Sequence, residues 1–559
     1  MGQEESTLLE QPRLEQPKIA ARPAAFWLGV VSVTAGVILH LPMWLDASDM
    51  HYKLVGMPVD TPMLIGMPLI LIGLILTAYG LIPRHSIFSR AELAKVSIRP
   101  MDDASISWAH VALLVAITLA VVIDVMKPTS LGFAVPGIAK EYGLKSAANP
   151  HASVPVALFP FSAAIGLVGG SFLWGSFADR IGRRSTILLA SVMFVSTAIC
   201  GAMPAFEWND VMCFLMGLAA GGMLPIVFAL ISEMMPARHR GWMMVAIGTQ
   251  FAIAYILVSW LSGLLLPHYG WRMLWLLNLP TGLILLGLSR WIPESVRFLI
   301  AHGRGDEAKA VMEHYGAQMV VDTDSELAVE EGVRNKWREI LSPRLIRSSA
   351  VVCVLALGAG LIAFGFQLWL PSNLQKLGLS PAASSKILRN GALIGLPVTI
   401  ALAALYGLWS TRKTVILLAI ATVASLIGCA VAGNSIVHHT GLMYLLLAVP
   451  ITAASSLTAV ALAYSAELYP TKLRSRGTGL AAAASKAGGI GISAMVVAAL
   501  AVPSIATTAL ICVVPLAIAA VLTSIFGMET RKRRLEEITA AEYGSSLPDR
   551  VAAVVSGPE

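Results

Sequence analysis

Apolar runs of about 20 residues recur along the whole chain, and that feature leaves few folds open. Fourteen runs are read, near 24–45, 62–83, 108–130, 154–177, 186–204, 210–233, 242–266, 272–291, 349–371, 386–409, 414–432, 441–466, 478–501 and 504–527. No water is present in a bilayer core to satisfy backbone N–H and C=O groups, so segments of this length cross it as helices. Composition agrees, with 56% hydrophobic and only 13% charged residues and a mean hydropathy of +0.74. The expected class is an all-α membrane protein of fourteen transmembrane helices.

A formal net charge of +7 could suggest an acidic or nucleic-acid partner, but its distribution points elsewhere. Basic residues gather in alternate loops: Arg84 to Arg99, Arg180 to Arg184, Arg238/Arg240, the segment 292–348, Arg412/Lys413, Lys472 to Arg476 and Arg531 to Arg534. Intervening loops hold few, such as Lys53, Lys140, Lys145, Arg272 and Lys376. Asymmetry of this kind sets orientation by the positive-inside rule. Both termini are therefore expected in the cytoplasm of a cell whose plasma membrane, a bacterial inner membrane, holds the protein; no nucleic-acid partner is expected. The polar N-terminus lacks a compact cleavable signal. All five cysteines lie inside predicted spans without CxxC spacing, and the histidines and methionines of the leading hairpin have no tight ligand spacing. Neither a metal nor a cofactor is expected.

A charged signature appears twice. Glu233-Met-Met-Pro-Ala-Arg238-His-Arg240-Gly241 ends one apolar run, and Glu467-Leu-Tyr-Pro-Thr-Lys472-Leu-Arg474-Ser-Arg476-Gly477 ends another, 234 residues on. Glu294 follows the first by 61 residues and Glu529 follows the second by 62. Gly175 precedes the first by 58 and Gly407 the second by 60. Three landmarks on one offset imply an internal duplication of six spans, an architecture of secondary transporters whose substrate sits between the repeats. The expected organisation is a polar tail (1–23), an accessory transmembrane hairpin (24–83), a cytoplasmic linker (84–107), a six-helix half (108–291), a cytoplasmic loop (292–348), a second six-helix half (349–527) and a cytoplasmic tail (528–559).

The segment Gly175-Ser-Phe-Ala-Asp179-Arg180-Ile-Gly182-Arg183-Arg184 resembles the signature loop of the major facilitator superfamily. Pro293-Glu294-Ser295-Val296-Arg297 and Glu529-Thr530 resemble its sugar-porter-like branch, which also contains aromatic-acid, niacin and organic-ion carriers. The resemblance covers about 108–540 and implies two six-helix halves that alternate access to a central site. It implies a reversible cytoplasmic gate built from Gly175, Asp179, Arg180, Gly182, Arg183, Arg184, Glu233, Arg240, Glu294 and Arg297, with Glu467, Arg474 and Glu529 in the second half. Charge-assisted bonds from Arg183, Arg184 and Arg240 to Asp179, Glu233 and Glu294 suit such a latch. Two departures stand out. Gly407-Leu-Trp-Ser-Thr-Arg412-Lys413 lacks the acidic residue and second glycine, and Cys213 stands where relatives often place an arginine.

Ionisable residues deep in a span are costly and so mark function. Asp124 and Lys127 lie three residues apart in the first core span, beside Pro128, and Lys486 lies inside the eleventh. In the family fold those two spans come from different halves and face one cavity. Gln250, Tyr255 and Gln367 are candidate hydrogen-bonding partners of a substrate. Two lysines against one aspartate favour an anion. The expected activity is uptake of a small organic anion, an aromatic or other carboxylate, coupled to protons. Lys127 is expected to pair with Asp124 in the empty carrier, and Asp124 to take a proton once substrate engages Lys127 and Lys486.

Fourteen-span efflux antiporters are the nearest alternative, but they usually insert their extra pair between the halves and carry a Gly-Pro motif absent around Gly248-Thr-Gln250. A receptor that binds without transporting lacks a sizeable soluble output domain here. No nucleophile–base pair or phosphate loop suggests an enzyme. The partners expected are the organic substrate, protons and lipid, with the chain acting as a monomer.

Overall fold

A computed structural model describes residues 21–82, 101, 104–146, 149, 151–301, 304–317, 340–343, 345–469, 471–499 and 504–530. Much of the expected tails, linker and central loop lies outside these residues. The described residues are almost entirely helical, with one isolated bridge between Lys145 and Pro155 and no strand. Among the described residues, fourteen helices are long and apolar enough to cross a membrane.

The leading hairpin is α1 (Pro23–Ile38) and α2 (Thr61–Leu81). Asp60 caps α2 by accepting the Met63 N–H at 2.9 Å. Gly66, Gly73 and Gly80 recur every seventh residue and form the seam with α1. A Cβ at Gly73 would stand 2.7 Å from Val33 and 2.8 Å from the Gly29 carbonyl, so only glycine lets the backbones meet this closely.

The first half is α3 (Trp108–Glu141), α4 (Leu158–Ile181), α5 (Arg183–Ser196, continued as a 3-10 turn over Thr197–Ala202), α6 (Phe206–Ala220 and Met223–Met234), α7 (Ala237–Tyr269) and α8 (Arg272–Leu276 and Asn278–Leu288). The second half is α9 (Ile346–Leu361, a π-helical turn Ile362–Gln367, then Leu368–Lys376), α10 (Pro381–Leu408), α11 (Thr411–Ala432), α12 (Thr440–Leu468), α13 (Thr471–Ala499) and α14 (Ile505–Phe526). Ser380, Ser410 and Ser504 cap α10, α11 and α14. The halves meet where α7 lies against α10 and α12, α4 against α13, and α3 against the last part of α9.

α3 runs unbroken through Pro128 and Pro136 to Glu141, beyond the end expected near 130. Neighbouring helices tolerate prolines inside a membrane helix by satisfying the freed carbonyls. The hairpin rests on α5, and its turn docks onto the first half: the Leu54 N–H donates to Glu141 at 2.9 Å. Trp44 stacks on Tyr52 with ring centroids 4.6 Å apart, and Tyr269 closes the same aromatic group. On the opposite face, the helix Gly305–His314 buries Ala308 and Met312, and the Tyr315 ring meets His110 edge-on at 4.9 Å.

Candidate functional site

Three ionisable groups gather where the halves meet. Asp124 is 3% exposed and Lys127 1%. Asp124 Oδ1 has no hydrogen-bond partner among the described residues, and the charges around it are Lys127 and Lys486. The expected Asp124–Lys127 ion pair is not formed in this conformation. Lys127 Nζ instead donates to the Phe194 carbonyl at 3.0 Å and to Thr197 Oγ1 at 2.8 Å, over the Phe194 ring. The reason lies in α5, whose α-helical ladder gives way to a 3-10 turn at Thr197. Carbonyls near a helix end lack partners and favour a cation.

Lys486 points the other way, across the interface. Its Nζ donates to the Gly221 carbonyl of the first half at 2.8 Å. Gln250 Nε2 donates to Thr118 at 3.3 Å, leaving its oxygen unpartnered among the described residues. The buried Tyr255 hydroxyl also has no partner there, and the polar side chain facing it is Gln367 of the second half. Gln367 closes the π-helical turn of α9. A nearby cavity of about 20 Å³ is lined by Pro128, Leu131, Ala163, Phe364 and Leu368. It has room for about one water.

The basic face carries a second constellation with pseudo-twofold symmetry. Glu294 accepts the N–H groups of Arg183 at 2.7 Å and Arg184 at 3.4 Å, capping the start of α5 rather than binding a guanidinium. Gly182 permits this approach: its φ is +100°, and a Cβ would stand 2.3 Å from Glu294. Burial pushes the Glu294 carboxyl above its usual range, while the N–H groups of Ser295, Arg183 and Arg184 and the Arg183 charge act against that rise. Arg183 reaches Glu233 at 3.3 Å, and Ser295 Oγ donates to Glu233. In the second half Glu529 accepts the Thr411 N–H at 3.0 Å, and Thr530 Oγ1 donates to Glu467 at 2.5 Å. The Tyr406 hydroxyl also donates to Glu467, at 2.9 Å. Arg184 is buried in the field of Glu294, Arg180 is exposed, and Gly175 has open space around it. The side chains of Asp179, Arg240, Arg297 and Arg474 lie outside the described residues.

Sequence reasoning missed a buried cluster on the opposite face. Arg272, 1% exposed, pairs with Glu141 at 2.8 Å and donates to the Met203 carbonyl at 2.7 Å. Trp271 Nε1 donates to Glu141 at 2.7 Å. This ties the ends of α3, α5 and α8 to the hairpin turn. Burial pushes the adjoining Tyr142 hydroxyl up, keeping it neutral beside Arg272.

Two duplicated six-helix halves, paired carboxylates on the basic face and ionisable groups between the halves define a membrane transporter of the major facilitator fold rather than an enzyme. Residues 131–541 match the family described as Sugar (and other) transporter, and the chain belongs to that family. It is 27% identical over 457 residues to the niacin transporter NiaP of Acinetobacter baylyi, covering 78% of this chain and 98% of that protein. It is 22% identical over 403 residues to a benzoate transport protein of the same organism, covering 70% and 83%. Among solved structures it is similar to the xylose transporter XylE from E. coli in a partially occluded inward-open conformation. There the TM-score is 0.60 at 16% identity, over 77% of this chain and 100% of that one. The matched family region begins after the leading hairpin.

Proposed function

We propose that this carrier takes up a small organic anion, an aromatic or related carboxylate, together with protons. The observation that carries the reading is Lys486, an intramembrane cation that reaches from the second half to the first with Asp124 within its field. An anion arriving between the halves meets that ammonium first. Its carboxylate engages Lys486, Asp124 loses a counter-charge and takes a proton, and the more nearly neutral site reorients. Lys127 stays with the first half as a fixed charge. Gln250, Tyr255 and Gln367 offer hydrogen bonds once the halves part. The names of the relatives, transporters of niacin and benzoate, support a carboxylate substrate.

The Arg183–Glu294 and Thr411–Glu529 groups act as the two sides of a latch on the cytoplasmic face. Both termini lie on that face of a bacterial inner membrane, and the carrier works as a monomer. Positive-inside loops support this orientation. A cysteine at Ser48 should react with an impermeant thiol reagent from outside, and one at Ser342 should not. The reverse pattern contradicts it.

The reading is tested by thermal shift on purified protein with benzoate and nicotinate against benzamide and nicotinamide. A rise in melting temperature with the acids alone is the expected result. Equal shifts with the amides contradict an anion site.

A further inference from the structure

α6 breaks at Gly221-Gly222, and the break exposes a particular carbonyl. Pro225, four residues past Gly221, has no N–H, so the Gly221 oxygen loses the donor an unbroken helix provides. Among the described residues no backbone N–H takes its place. Two side chains do: Lys486 Nζ at 2.8 Å from the other half, and Ser171 Oγ at 2.8 Å from α4. Ser171 shares its hydroxyl with the Leu167 carbonyl at 2.9 Å. The site is held tightly. A Cβ at Gly221 would stand 2.3 Å from the Leu167 oxygen, and one at Gly222 would stand 2.1 Å from Trp174. On the other side, Gly360 lets α9 lie directly on the Ser485 carbonyl, where a Cβ would stand 1.8 Å away. That contact fixes the backbone from which Lys486 projects.

We infer that the Gly221 carbonyl, freed by Pro225, is the resting partner of Lys486, holding its ammonium and the two halves together until a substrate carboxylate displaces it. The inference rests on the reading of Lys486 as the counter-ion of an anionic substrate. A buried ammonium without any acceptor is costly. A permanent carboxylate partner would compete with substrate on equal terms. A neutral carbonyl avoids both, because a hydrogen bond between two charged groups is stronger than one to a neutral acceptor. An anion therefore takes Lys486 from Gly221, whereas a neutral amide gains little by doing so. Release of α6 from α13 accompanies binding, which ties substrate arrival to separation of the halves.

Pro225→Ala gives the Gly221 carbonyl a backbone donor and makes it a poorer partner for Lys486. Benzoate should then bind about 3- to 10-fold more tightly, the equivalent of one ordinary hydrogen bond, with benzamide unaffected. The gain should vanish when Lys486→Ala is also present, and the two changes should be non-additive in the melting temperature of the empty protein. Ser171→Ala leaves the carbonyl to Lys486 and should weaken benzoate binding about twofold, again only with Lys486 in place. Additive effects, or unchanged benzoate affinity in folded Pro225→Ala, overturn the inference; if that variant does not fold, an unchanged affinity in Ser171→Ala does so. Benzoate affinity untouched by Lys486→Ala overturns the site reading as well. Loss of affinity in Lys486→Ala without coupling to Pro225 or Ser171 leaves that reading standing and removes only the resting partner.

Discussion

The ammonium of Lys127 is bonded to the hydroxyl of Thr197 at 2.8 Å, although Asp124 lies only three residues before it on α3. Lys127 is thus a group of the α3–α5 seam, whereas Lys486 reaches across the two halves to Gly221. Lys127→Met should change benzoate affinity by less than about threefold, below the cost of a lost charged hydrogen bond. Accumulation driven by a pH gradient should fall while exchange persists, because the fixed charge beside Asp124 is gone. Binding and uptake measured on the same preparation check both halves of this expectation.

The proposed latch on the basic face should weaken by steps. Arg183 and Glu233 are partly buried, with side-chain exposures of 16% and 11%, and such a pair is worth about 1 kcal/mol. Arg183→Ala should then shift the closed-to-open equilibrium of that face about fivefold. Tyr406→Phe, which strips a hydroxyl from Glu467, should shift it the same way. Faster thiol labelling of a cysteine placed at Ala178 reports the opening.

Glu294 works as a helix cap, so its oxygens matter more than its charge. Glu294→Gln keeps an acceptor for the Arg183 N–H and should be mild. Glu294→Ala should destabilise by about 0.5–2 kcal/mol, the usual cost of a lost cap. Thermal unfolding of the two variants distinguishes them, and equal losses contradict a capping role.

Hairpin integrity rests on the glycine seam. Gly73→Leu forces a side chain into Val33 and the Gly29 carbonyl and should lower yield and melting temperature. Uptake per folded molecule should remain, since the proposed transport site lies in α3–α14. Normal stability in this variant contradicts the close seam.

Much of this architecture is legible in the sequence, because apolar length reports spans and the repeated Glu233/Glu467 and Glu294/Glu529 pairs report the duplication. Side-chain direction is not. Spacing places Asp124 and Lys127 on one face of α3, but the 3-10 turn at Thr197 that draws Lys127 away leaves no mark in composition. Glu141 lies past the span end expected near 130, and Arg272 reads from sequence only as a basic residue of a short loop. The break in α6 did leave a signal, Gly221-Gly222 followed by Pro225 inside an apolar run. Such interrupted segments point to transporter binding sites, yet glycines in spans equally serve helix packing.

We propose that Asp124 carries the proton while Lys486 holds the anion, and paired measurement of proton and benzoate movement in proteoliposomes separates the two roles. Wild-type protein should move protons inward with benzoate. Asp124→Asn should bind and exchange benzoate without proton movement. Lys486→Ala should lose about 10- to 150-fold in affinity, the equivalent of a charged hydrogen bond. Proton movement at the wild-type ratio in Asp124→Asn would contradict the account.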